Sequence, residues 1–145
     1  MIDHLVRTEI AILAAAREGL KKSRRLGLSD KARTYFVHRI FLSDRKVKVP
    51  DRASQVLPGS DLHWPLLVEQ WQKTRSDLQQ FVQDHDSQQL SQGIFRHPVA
   101  GWMGMPQILD FFSVHLIHHN YQLARIKEAL RDSQASNPPY RHRQR

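Results

Sequence analysis

Two histidines four residues apart, His115 and His119, carry the most chemical information in this chain, within His115-Leu116-Ile117-His118-His119. In a helix, residues i and i+4 project side by side from adjacent turns. Two imidazoles so placed reach one cation with metal–nitrogen bonds of about 2.0–2.1 Å. The stripe they interrupt is otherwise apolar: Ile108, Phe112, His115, His119, Leu123 (or Gln122), Ile126 and Leu130 recur every three or four residues, as on the buried face of a bundle helix. An uncompensated polar ring at such a position costs about 2–7 kcal/mol. The rings therefore need partners, either a metal ion or hydrogen bonds to carboxylates or water. A third ligand has candidates in His4, His38, His63, His85 and His97, and in acidic side chains. His4 is preferred, because it precedes the core residue Leu5 and has a small-residue track, Thr8, Ala11 and Ala15, beside it. Three histidines plus water form the open coordination of catalytic sites, in which bound water ionises near neutral pH or a carbonyl or thiolate substrate is polarised. Zinc suits three nitrogens, and nickel is the next choice. His118 reads as a packing neighbour on the face of Phe111, Val114 and Tyr121. His97 reads as a loop anchor, with substrate contact as the alternative. His38, His63, His85 and His142 read as exposed, and Glu9, five residues beyond His4, does not share its face well.

The elements that must hold these residues read as helices, with no convincing strand. The first spans Ile2 to Arg24, with Ile2, Leu5, Val6, Leu13, Ala16 and Leu20 near one face and Gly27 as terminator. Its Ala14-Ala15-Ala16 run permits close packing. A shorter helix, Asp30 to Leu42, follows the cap candidate Ser29, and Ser43 to Gly59 reads as an extended connector with Pro50 and Pro58. A third helix, from Ser60-Asp61 to Val82, has Leu67, Trp71, Leu78 and Phe81 as its buried stripe. Residues 84–103 read as a loop. The fourth helix runs from Met105 to Arg131, with Gly104 at its N-cap, Pro106 in the first turn and Gln107 at the capping-box position. The expectation is an all-α bundle, residues 1–132, of three long helices and one short one. A disordered basic tail, 133–145, follows.

At 145 residues, 40% hydrophobic and 25% charged, the chain fits one globular domain. The absence of cysteine excludes disulfides, thiolate ligands and cysteine nucleophiles. The N-terminus lacks a basic segment followed by an apolar one, and no apolar run approaches a membrane span; the expectation is a cytoplasmic protein without a membrane partner. Charge is concentrated in residues 17–52, where twelve Lys/Arg oppose four acids for a net +8, while the remainder is neutral. That block reads as a solvated basic surface, with phosphate or another anionic partner as the alternative. No stacking aromatics are expected among these cations, so nucleic acid is disfavoured. Paired glycosidase carboxylates, a Gly-rich phosphate loop, a GxSxG elbow and an HExxH motif are all absent.

The stretch His97-Pro98-Val99-Ala100-Gly101, Gln107 and His115-Leu116-Ile117-His118-His119-Asn120-Tyr121-Gln122-Leu123 resembles the C-terminal half of the DinB-like superfamily. There an HP-x-x-G loop precedes a helix with histidines at i and i+4 and a glutamine three residues later. Asp3-His4-Leu5-Val6-Arg7-Thr8-Glu9 resembles the family's "HL-x-x-x-E" helix, and Trp71 to Leu78, with Arg75, its third helix. The resemblance implies a four-helix bundle with His4, His115 and His119 as metal ligands. It also implies a metal-dependent hydrolase or a thiol or small-molecule transferase with an unidentified substrate. Three features depart from the pattern. Asn120 stands where arginine is common, Gly104 replaces the usual Ser/Thr cap, and the chain starts three residues before His4, so that the first bundle helix is expected to be missing: the true start lies upstream, a partner subunit covers the exposed face, or the chain is a degraded relative. An apolar face left open in this way invites self-association, with a homodimer as the expected assembly. The alternative function is a non-catalytic bundle that acts by self-association and offers its basic surface to anionic partners.

Overall fold

The computed structural model describes residues 1–43, 56–57 and 63–136. Five helices and one hairpin are present among them: α1 (Ile2–Leu20), α2 (Leu28–Phe41), α3 (Trp64–Gln83), α4 (Ser87–Leu90), β1 (Phe95–His97), β2 (Gly101–Met103) and α5 (Met105–Ser136). The structure is mostly helical, as expected. The connector 44–55 and 58–62, the expected start of α3 at Ser60-Asp61, and tail residues 137–145 lie outside the described residues.

Local chemistry explains where the elements begin and end. α1 stops at Leu20, short of Arg24, because Arg24 pairs with Gly93 in an antiparallel bridge (N···O 3.3 and 2.7 Å) that draws its backbone out of the helix. α2 starts at Leu28, two residues before the expected Asp30. The Asp30 carboxylate instead accepts the Gly27 N–H at 2.9 Å and so closes the first turn from inside. α3 has Pro65 in its first turn, where the missing N–H costs no hydrogen bond.

The expected loop 84–103 holds two ordered elements. Asp86 and Gln89 form a reciprocal capping box around α4: the Gln89 N–H donates to Asp86 Oδ1 at 2.8 Å, and the Asp86 N–H to Gln89 Oε1 at 3.2 Å. A β-hairpin follows, pairing Phe95 with Met103, Arg96 with Trp102 and His97 with Gly101. Strands of three residues are too short to show a period of two, which is why the pattern hid them. His97 closes their turn, its Nδ1 accepting the N–H groups of Val99 (3.1 Å) and Ala100 (3.0 Å). Gly101 completes the turn at φ +79°, in the left-handed region that favours glycine.

α1 packs against both α3 and α5, α5 also packs against α2, and the hairpin sits on α1, α2 and α5. Ile12, Leu13, Ala16, Leu78, Phe81, Ile94, Met103, Ile108 and Phe112 meet in one core. Burying each large aliphatic or aromatic side chain there contributes about 1.5–3 kcal/mol. α5 is the longest element, at 32 residues. It spans roughly 48 Å against roughly 30 Å for α3. It consequently outruns its neighbours. The predicted seam is buried through His119, but Leu123, Ile126 and Leu130 are 39%, 51% and 58% exposed. The helix also continues past Arg131 to Ser136, into the stretch expected to be tail.

Gly104 has a stricter role than the sequence suggested. Its N–H donates to Gln107 Oε1 at 3.0 Å, as the capping pattern predicts. A Cβ there would lie 2.9–3.0 Å from the carbonyl oxygens of Gln92, Leu90 and Ser91. Capping statistics alone favour serine at this position. We expect Gly104→Ser to destabilise the fold instead, by about 1–3 kcal/mol. Chemical denaturation of the two proteins checks the sign.

Candidate metal centre

His4, His115 and His119 come together in the folded chain. Each presents a ring nitrogen within 4.8 Å of the other two, and all three residues are buried. Ring centroids are 5.2 Å apart for His4–His115, 5.1 Å for His4–His119 and 4.7 Å for His115–His119. Nε2 of His115 and Nε2 of His119 are 3.0 Å apart, close to the roughly 3.3 Å that two nitrogens keep on a tetrahedral ion with 2.0–2.1 Å bonds.

Hydrogen bonds away from the cluster fix which nitrogen two of the rings offer. His4 Nδ1–H donates to the Val56 carbonyl at 2.6 Å, leaving Nε2 with its lone pair. His119 Nδ1–H donates to Gln122 Oε1 at 2.8 Å, with the same consequence for its Nε2. The other end of that amide donates to His118 Nε2 at 3.0 Å. Gln122 therefore ties His119 to His118 and sets the tautomer of both. Ligating histidines are ordinarily held in this way by a polar partner at the far nitrogen. His4 sits in the first turn of α1, yet it is not frayed: besides the Val56 contact, its carbonyl accepts the Thr8 hydroxyl at 2.7 Å.

The surroundings are apolar and aromatic. Phe111 stacks on His115 (5.2 Å, 22°), and Phe41 meets His115 and His118 at 5.5 and 5.0 Å. Burial pushes the His115 imidazole pKa down to about 2 and that of His119 to about 4, with neighbouring histidines pushing the same way. Both rings are neutral at physiological pH, the protonation state that a metal requires. Three imidazoles, two with tautomers set by outer partners, fit a borderline divalent ion.

Several residues differ from their sequence reading. His38 was expected to be exposed but is half-buried; its Nε2 has no hydrogen-bond partner among the described residues, and burial lowers its pKa. His85 is half-buried too, its Nδ1 donating to the Phe81 carbonyl at 2.7 Å, whereas His63 is exposed as predicted. His142 lies outside the described residues. His97 is the expected loop anchor, and His118, 3% exposed, is the expected packing neighbour. Of the track proposed beside His4, Thr8 is buried but Ala15 is exposed. Glu9 serves α1–α3 packing: it accepts Arg75 at 2.6 Å and Trp71 Nε1 at 3.0 Å. Burial nonetheless raises its carboxyl pKa. That bond also explains why Trp71, expected in the core, is only half-buried. Phe41 and Gln122 were missed as contributors to the cluster's surroundings; the position of Gln122 three residues after His119 was the available signal.

Two predictions follow from this geometry. Gln122→Leu frees the His119 tautomer and should weaken metal affinity by about 10–100-fold, read by competition with a chromophoric chelator. The half-buried His97 ring, its pKa pushed down to about 4 by desolvation, resists protonation in the folded state. The unfolded chain takes up its proton near pH 6.5, so this contribution to stability is complete above pH 6.5 and is lost as pH falls towards about 4. Melting curves of the metal-free protein across that range should show the loss, and His97→Asn should make it shallower. No family model, curated protein or solved structure significantly matches this chain.

Proposed function

We propose that this protein is a DinB-like, metal-dependent helical bundle that holds a divalent ion, zinc or nickel, on His4, His115 and His119. Its reading as a hydrolase, or as a thiol or small-molecule transferase, rests on that site. The convergence of three buried imidazoles, with the tautomers of His4 and His119 fixed by the Val56 carbonyl and Gln122, is the observation that carries it. Left metal-free, His115 and His119 meet through a single Nε2···Nε2 hydrogen bond of 3.0 Å, the pair of atoms that an ion would take up. A divalent ion would supply Lewis acidity, polarising a carbonyl or thiolate substrate or lowering the pKa of a bound water. The chain's own contribution is placement. His4 comes from α1 and the other two from α5, so α1–α5 packing sets the spacing. Phe41 and Phe111 keep water off one side, which strengthens electrostatic interactions within the site.

Metal analysis is the direct test. Wild type purified without chelator should carry about one divalent ion per chain, and His119→Ala much less. Added zinc or nickel at about a hundred times its dissociation constant should stabilise the stripped wild type by about 2.7 kcal/mol and the variant by far less. Wild type that neither retains nor responds to either metal rules this function out. If the metal binds, the loaded protein assayed on ester, amide and thiol-acceptor panels separates the hydrolase from the transferase reading.

A further inference from the structure

α2 carries large apolar side chains on two faces, and among the described residues only one of these faces is covered. Asp30, Thr34, Val37 and Phe41, at i, i+4, i+7 and i+11, turn towards the body of the protein and are buried or half-buried. Leu28, Ala32, Tyr35, Phe36 and Arg39 form the opposite stripe, where Leu28, Tyr35 and Phe36 are 87%, 61% and 65% exposed. Exposed Lys31 and Arg33 flank that stripe on either side. A surface helix ordinarily turns charged and polar residues outward, whereas this one also turns three large apolar side chains outward. Tyr35 and Phe36 also correct the expectation that no aromatic side chain stands among the cations of this block.

Charge decides what covers it. The only acid on α2 is Asp30, and it is turned inward, accepting the Gly27 N–H and pairing with Arg24. Two copies meeting through this face would bring Lys31, Arg33 and Arg39 against their equivalents with no carboxylate from α2 to offset them. Nucleic acid would satisfy the cations and could stack on rings, but it offers no apolar volume to Leu28 and Ala32. An anionic bilayer surface satisfies both: headgroups meet the Lys/Arg flanks while the acyl boundary takes up Leu28, Tyr35 and Phe36. It also accepts the convex ridge of a single helix without a matching groove. We propose that the outward face of α2 docks this protein peripherally on anionic lipid membranes. This mode needs no spanning segment, and no helix among the described residues is long and apolar enough to cross a membrane. The proposal is independent of the metal centre.

Co-sedimentation of the full chain with vesicles tests it. Phosphatidylcholine vesicles containing about one-third phosphatidylserine should bind at least roughly tenfold more tightly than pure phosphatidylcholine, and the difference should shrink with added salt. The double variant Leu28→Ser/Phe36→Ser alters only exposed side chains, so its melting temperature should match wild type while vesicle binding is lost. Lys31→Glu/Arg39→Glu should lose the preference for anionic lipid. Four results overturn the proposal: no vesicle binding, binding unchanged in Leu28→Ser/Phe36→Ser, tighter binding to a single-stranded oligonucleotide than to anionic vesicles, or a homodimer that the same double variant dissociates.

Discussion

The centre of this protein depends on holding three imidazoles in fixed orientations within an apolar interior. A neutral histidine has one donor and one acceptor nitrogen, so burying it poses two separate hydrogen-bonding problems. For His4 and His119 the donor problem is solved outside the cluster, by the Val56 carbonyl and the Gln122 amide. The acceptor nitrogens are thereby turned towards one another. Phe111 and Phe41 then make protonation, the other way to relieve the crowding, unfavourable. A cluster held in this state could hold a metal ion.

The rest of the fold serves that placement. His4 stands on α1 and its two partners on α5, so the site exists only while these helices keep their relative position. Glu9 pins α1 to α3 through Arg75 and Trp71. The hairpin, closed by His97 and Gly101, packs on α1, α2 and α5. Gly104 lets the chain pass from β2 into α5 beneath the carbonyls at the end of α4, which fixes where the long helix starts. α2, read from sequence as a short connecting helix, supplies Phe41 to the wall of the cluster and turns a second apolar stripe outward.

Much of this was legible in the residue pattern, for identifiable reasons. His115 and His119 interrupt a stripe of period 3.6, and a polar ring at an otherwise apolar position stands out. The Gln107 cap of α5 and the turn at His97 follow local hydrogen-bonding rules spanning only a few residues. Leu123, Ile126 and Leu130 fit the same stripe equally well but are exposed, because periodicity says which face is apolar and not how far the neighbouring helices extend. The hairpin was missed because three residues per strand carry no measurable alternation. Tyr35 and Phe36 were overlooked because a count of charges along a block does not show which side chains share a face.

The sequence by itself determined the mainly helical class, the helical registers and the identity of the histidines able to act together on α5, since these follow from spacing along a single helix. Only the tertiary structure decided that His4 is their third member, that Gln122 orients His119, that Glu9 belongs to α1–α3 packing and that His38 is drawn inward. Each of these is a relation between side chains on different turns or different elements. Residues separated by a hundred positions meet through the packing of whole helices, and the partner at a ring nitrogen depends on rotamers that spacing does not specify. The i, i+4 pair needs only one helix, whereas the triad needs the fold.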